Sequence, residues 1–315
     1  MPCPVKILPL LACFLLASCG AEPPGPCGGD LSSRSDRFIL VGDTQRTSLL
    51  EFWREQNDSE RRAVAQRISE EAPAFLLILG DLVFQGDDAK HWQRFDELMA
   101  PIREKNLPCY AILGNHEYRG ANADAMESFS SRFPHLRGRK WYSLRFRSVV
   151  ILALDSNFGD LGSKEGAEQT KWYRAELESL EKDPAVKHVV VCCHHPPFTN
   201  STVVSDDLKV QELFLEPLWA SRKARLLVSG HAHAYERFRR NGKEFIVSGG
   251  GGGPRHPLET DPARRRHADQ YKGGALREFH FLRFTVDGGG LHMEMVKLEP
   301  SSGEWRVGDE LLVRS

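Results

Sequence analysis

Five short pieces of the chain carry side chains able to hold metal: Gly42-Asp43-Thr44-Gln45, Gly80-Asp81-Leu82-Val83-Phe84, Gly114-Asn115-His116-Glu117, Cys193-His194-His195-Pro196-Pro197 and Gly230-His231-Ala232-His233. Together they offer the Asp, Asn, Gln and His donors of a two-metal centre. Two divalent cations about 3.5–4 Å apart that share a carboxylate activate water at neutral pH and clamp both oxygens of an in-line displacement at phosphorus. The chemistry indicated is hydrolysis of phosphate esters. Imidazole, carboxylate and amide oxygen suit Zn, Mn or Fe, and no thiolate is required.

Each piece closes an apolar run that reads as a strand: 38–41 before Asp43, 75–79 before Asp81, 110–113 before Asn115 and His116, 189–193 before His194, and 226–228 before His231. Sites in α/β sheets lie outside the carboxyl ends of the strands. Between these runs, Trp92, Phe95, Met99 and Ile102 recur at helical spacing, as do Tyr173, Leu177 and Leu180, and they read as core. Past Tyr235 the pattern turns to strands, with 279–286 and 291–298 flanking an Asp-Gly-Gly-Gly turn as a hairpin. The five glycines at 249–253 read as a mobile loop. Taken singly, an Asp after Gly is often a turn or cap residue, and a His at a strand end is often structural. Five such pieces in one chain reverse that balance.

The order and wording of the pieces resemble the calcineurin-like metallophosphoesterase superfamily, and Gly-His-Ala-His-Ala-Tyr-Glu-Arg from Gly230 to Arg237 is similar to its purple acid phosphatase branch. The resemblance covers residues 38–300 and implies an α/β fold, a four-layer α-β-β-α sandwich; it also implies a Gly-rich piece such as 249–253 near the metals, with a plain linker as the alternative. It makes Asp43 a ligand of the first metal, Asp81 the bridge, Asn115, His194 and His231 ligands of the second, and His233 a ligand of the first. His116 becomes the general acid or charge stabiliser, oriented by a carboxylate that the sequence does not identify. Asn115, His195 and Arg237 are candidates for substrate contact, with support of a ligand or plain packing as the alternatives for His195 and an ion pair to a carboxylate as the alternative for Arg237. Two departures stand out. Gln45 replaces the His of the common Asp-x-His motif and is the candidate for the missing ligand, while Phe84 replaces the purple acid phosphatase Tyr and favours two divalent ions over a phenolate-bound ferric ion. The implied activity is metal-dependent hydrolysis of phosphate esters, monoesters first, by a metal-bridging hydroxide. A phosphodiesterase or nucleotide pyrophosphatase is one alternative, and a catalytically silent, lipid-tethered binding domain is another.

The 315 residues include 41% hydrophobic and 27% charged positions, an ordinary globular composition. The net charge of -1 supplies no whole-molecule attraction to nucleic acid, and none is expected as a partner. Arg264-Arg265-Arg266 is the densest basic piece and reads foremost as a solvated loop. Residues 1–18 read as a secretory signal, too short an apolar stretch for a spanning helix. Leu16-Ala17-Ser18-Cys19 resembles the lipobox of bacterial lipoproteins, with Cys19 acylated into a bilayer and Gly20 directing the protein to the periplasmic side of the outer membrane. Residues 19–36 are Gly-, Pro- and Ser-rich and form a flexible tether, followed by one domain at 37–300 and a C-terminal extension at 301–315. The remaining cysteines, Cys27, Cys109, Cys192 and Cys193, form no recognisable disulfide framework or zinc motif.

Overall fold

The computed structural model describes residues 31, 34–48, 51–136, 139–288 and 290–314. The expected signal at 1–18, Cys19 and most of the 19–36 tether lie outside them. Two six-stranded sheets form the centre. The first has the order β12-β11-β10-β1-β2-β3, built from β1 (Arg37–Val41), β2 (Leu76–Ile78), β3 (Cys109–Ala111), β10 (His280–Asp287), β11 (Gly290–Leu298) and β12 (Trp305–Val313). The second has the order β4-β5-β6-β7-β9-β8, from β4 (Tyr142–Phe146), β5 (Val149–Ala153), β6 (His188–Cys192), β7 (Ala224–Ser229), β8 (Tyr235–Arg240) and β9 (Lys243–Ser248). Strands β1, β2 and β3 run parallel, as do β5, β6, β7 and β9. Their crossovers carry most of the helices: α1 (Asp58–Glu71), α2 (Ala89–Leu98), α3 (Ala100–Glu104), α4 (Asn122–Arg132), α5 (Phe158–Lys182) and α6 (Leu208–Ala220).

The central strands are apolar on both faces because both faces are covered. In β6, Val190 and Cys192 join the cluster that links the two sheets, whereas Val189 and Val191 pack with Tyr173, Leu177 and Phe214 of α5 and α6. This yields the four-layer sandwich. Phe38 near the start of β1 stacks between Phe75 at 5.1 Å and Phe284 at 4.8 Å, contacts worth about 0.5–1.5 kcal/mol each beyond burial. The helical spacing is borne out, since Trp92, Phe95, Met99, Ile102, Tyr173, Leu177 and Leu180 are all buried. The first stripe is nevertheless split between α2 and α3 at Met99, because Pro101 has no N–H to continue the ladder.

The hairpin at 279–298 also forms, with β10 and β11 paired from His280↔Lys297 to Asp287↔Gly290. The expected C-terminal extension carries β12, which pairs with β11 along its length. An edge strand whose side chains are mostly half-buried or exposed lacks the apolar alternation that would have marked it. The five-glycine segment at 249–253 is buried, not a loose loop, because its backbone packs where side chains would not fit.

Candidate metal centre

The parallel strands of both sheets end at one edge, and their following loops converge there. The pairing of β1 with β2 continues past the strands, with Asp43 N–H donating to Gly80 O at 3.1 Å and Gln45 N–H to Asp81 O at 3.0 Å. Asp43, Asp81 and His231 adopt left-handed backbone conformations, with φ of 61°, 54° and 65°. Each costs a non-glycine residue about 1–3 kcal/mol, strain that clusters at functional sites. Hydrogen bonds hold these residues there. His231 N–H reaches both carboxylate oxygens of Asp43 at 3.0 Å, and His116 N–H reaches Asp81 Oδ1 at 3.0 Å. The neighbouring glycines are equally specific: a methyl on Gly114 would strike Asp81 Oδ1, and one on Gly230 would lie 2.6 Å from Asp43 Oδ2.

Two groups of donors share Asp81. On one side, His194 Nε2 lies 3.3 Å from Asp81 Oδ1, 3.2 Å from Asn115 Oδ1 and 3.2 Å from His231 Nδ1. On the other, His233 Nε2 lies 3.4 Å from Asp43 Oδ1, and the Gln45 amide lies 3.1 Å from His233 Nε2 and 3.3 Å from Asp81 Oδ2. With its nitrogen turned outward, Gln45 donates to the carbonyls of Asp43 at 3.2 Å and Asp81 at 3.0 Å, and its oxygen faces the centre. His194 and His233 donate Nδ1–H to the carbonyls of Leu79 and Pro254, both at 2.8 Å. That tautomer aims each Nε2 lone pair inward, the usual arrangement for a metal-bound imidazole.

The donors fit divalent cations. Asp43, Asp81 and His194 are buried, and their ligand atoms lie within 4.8 Å of one another. Desolvation raises the Asp43 pKa. Burial alone would lower that of His194, but the Asp81 charge overrides it and raises His194 to about 10, so the carboxylates draw a cation, proton or metal, onto Nε2. A cluster this anionic and this buried calls for positive charge.

The remaining expected residues separate. His116 donates Nδ1–H to Phe84 O at 2.7 Å, so a backbone carbonyl, not the expected carboxylate, orients it. Its Nε2 faces Asp81 Oδ2 at 3.7 Å, and burial pushes its pKa down to about 4. His195 lies against His231, with ring centres 4.4 Å apart. Ser156 Oγ accepts the His195 backbone N–H at 2.9 Å and lies 2.8 Å from Nδ1; with the hydroxyl donating to Nδ1, the neutral ring carries its proton on Nε2. Arg237 does not join the centre: its guanidinium meets Asp309 of β12 at 2.8 Å and Glu244 at 4.0 Å, the ion-pair alternative. The arginine run is also committed elsewhere, with Arg264 paired to Glu259 and Asp261 of its own loop and Arg266 Nε donating to Thr199 O of the loop after β6.

Three supporting residues went unread in the sequence. Glu117 accepts the N–H groups of Asp81, Leu82, Val83 and Gly114. Ser156 fixes His195. His256 stacks on His233 at 4.1 Å, and its Nδ1 accepts His233 N–H at 3.2 Å. Only the position of Glu117 inside the Gly-Asn-His-Glu piece gave any local signal.

Two sheets that gather acids from one and imidazoles from the other around a shared carboxylate define a dinuclear metal hydrolase. The family model for calcineurin-like phosphoesterases matches residues 36–235. The chain belongs to that family. Over 314 residues it is 25% identical to tartrate-resistant acid phosphatase type 5 of Sus scrofa, covering 88% of this chain and 87% of that one. It is also 25% identical to purple acid phosphatase 22 of Arabidopsis thaliana, covering 64% and 45% of the two chains. Among solved structures, a purple acid phosphatase from yellow lupin seeds has the same fold, with a TM-score of 0.63 at 17% identity over 88% of this chain and 53% of that one. The protein is a dinuclear metal phosphatase whose centre takes two metal ions.

Proposed function

We propose that the chain hydrolyses phosphate monoesters and does so from a membrane surface. One observation carries the chemistry: the two oxygens of buried Asp81 face two separate donor sets, His194 with Asn115 on one side and Gln45 on the other. When bound, two cations supply an activated water and neutralise charge on the phosphoryl oxygens. The protein groups do the rest. Asn115 directs its oxygen to His194 Nε2 and leaves its amide nitrogen to donate to substrate. His195 presents Nε2–H from the opposite sheet. His116, fixed through its Nδ1–H, presents a free Nε2 beside the Asp81 carboxylate, where a proton taken from water can be relayed to the departing oxygen. Gln45 supports divalent ions at the first position because a neutral amide adds no charge where a phenolate would.

The test compares an aryl phosphate monoester with the matching methyl diester on manganese-loaded protein. The monoester is expected to have the higher kcat/KM by about tenfold or more. A reversed order would assign a phosphodiesterase, and two bound ions with no turnover of either would leave a silent binding domain.

The membrane part is supported by Leu16-Ala17-Ser18-Cys19 and the tether-like composition that follows. No helix among the described residues is long and apolar enough to cross a membrane. Several acyl chains on Cys19 would anchor the enzyme stably at the periplasmic face of a bacterial outer membrane. Labelled fatty acid should enter the wild-type chain and be absent from Cys19→Ala. Equal labelling of both would remove the anchor.

A further inference from the structure

Arg119 stands at the rim of the metal centre with its charge uncommitted. Its guanidinium carbon lies 5.3 Å from the centre of the Phe84 ring, and the same ring meets His116 edge-on at 5.3 Å. The carboxylate that most favours its charge is the shared Asp81, followed by Glu51, while desolvation opposes it and lowers its pKa. Yet Arg119 has no ion pair and no side-chain hydrogen bond among the described residues, and it remains open to solvent. Other arginines are not free in this way: Arg46 and Arg61 pair with Asp58, Arg54 with Glu51 and Arg255 with Glu55.

The stack is built into the backbone. Arg119 N–H closes a turn onto His116 O at 3.2 Å, while the His116 ring is tied to Phe84 O. After Arg119, Gly120 takes a φ of 96°, and the Asp87 carboxylate fills the space a side chain would need. Asp87 Oδ2 then accepts Ala121 N–H at 2.7 Å. The loop bearing the ring and the loop bearing the cation are thereby fixed against each other on both sides of His116. A guanidinium lying on an aromatic face keeps its edge free to donate two parallel N–H bonds to oxyanions.

We propose that Arg119, held on Phe84, is a substrate-binding residue that takes the phosphoryl oxygens turned away from the metal donors, and that it selects doubly charged phosphate monoesters over diesters. The proposal rests on the hydrolytic reading above. It gives Phe84 a use, since a bare ring serves as the platform.

Kinetics and calorimetry of Arg119→Gln, both on manganese-loaded protein, test it. For an aryl monoester, KM should rise about 10–100-fold with kcat within about threefold, because the lost contact forms on binding. Affinity for inorganic phosphate, read by calorimetry, should fall in parallel, and the KM of the methyl diester should move by no more than about twofold on the same reasoning. Arg119→Lys should not restore phosphate affinity, because a point charge lacks the fork, and Phe84→Leu should shift it in the same direction by less. Unchanged phosphate affinity in Arg119→Gln, an equal loss for monoester and diester, or weakened manganese binding would each overturn the proposal. If the wild type hydrolyses neither ester, the functional reading fails while the phosphate titration still decides the role of Arg119.

Discussion

Asparagine at position 81 should leave a folded protein that has lost both its metal pair and its turnover. Asp81 Oδ1 faces His194 Nε2 at 3.3 Å and Oδ2 faces the Gln45 amide at 3.3 Å, so each oxygen serves a different donor set. An asparagine fills the same volume but replaces one oxygen with an NH2 that repels a cation. Loss of one member of a set that acts as a unit costs on the order of 10³-fold or more in kcat. Metal analysis should show fewer than two ions per chain for Asp81→Asn, and far-ultraviolet circular dichroism should show an unchanged fold. Retention of both ions with more than about a tenth of wild-type kcat would remove Asp81 from the shared position.

Glu117 should matter nearly as much without touching metal. Its Oε2 accepts Asp81 N–H and Gly114 N–H, both at 2.8 Å, and its Oε1 accepts Leu82 N–H at 2.8 Å and Val83 N–H at 3.3 Å. Burial pushes its pKa up to about 7, and the nearby charge of Asp81 adds to the rise. Glu117→Gln keeps one acceptor oxygen and turns an NH2 toward two N–H donors. Each buried donor left unpaired costs about 1–3 kcal/mol, so urea melts should show a loss of about 3 kcal/mol. Manganese affinity should fall about 10–100-fold, as for other groups that orient metal ligands. A variant within about 0.5 kcal/mol of wild type, the range of ordinary surface changes, would show that these four hydrogen bonds do not hold the Asp81 loop.

Much of this architecture is written locally. The five motif pieces end apolar runs, and a run followed by Gly-Asp or Gly-Asn is visible without coordinates. Gln45 and the six ligand positions implied by the family resemblance all meet at one place in the structure. What stayed hidden depends on partners distant in sequence. Ser156 acts on His195 and His256 on His233 through contacts that leave no periodic trace, and Arg237 is claimed by Asp309 from a strand too exposed to show a pattern. The buried glycines at 249–253 were open to two readings, a loose loop or a piece beside the metals, for a related reason. A glycine run looks the same whether the chain swings freely or is pressed against Asp43, His280, Arg61 and His233; only the surroundings distinguish the two.

The side chains that would hold each cation come from both halves of the sandwich. Asp43, Gln45, Asp81 and Asn115 follow strands of the first sheet, whereas His194, His231 and His233 follow strands of the second. Ions held by these residues would act as rivets through the seam between two layers, and folding and loading would form one linked equilibrium. Any ligand that binds only the native state adds to its stability in proportion to the logarithm of its concentration. A cell short of these cations would thus meet a weaker scaffold as well as an idle catalyst.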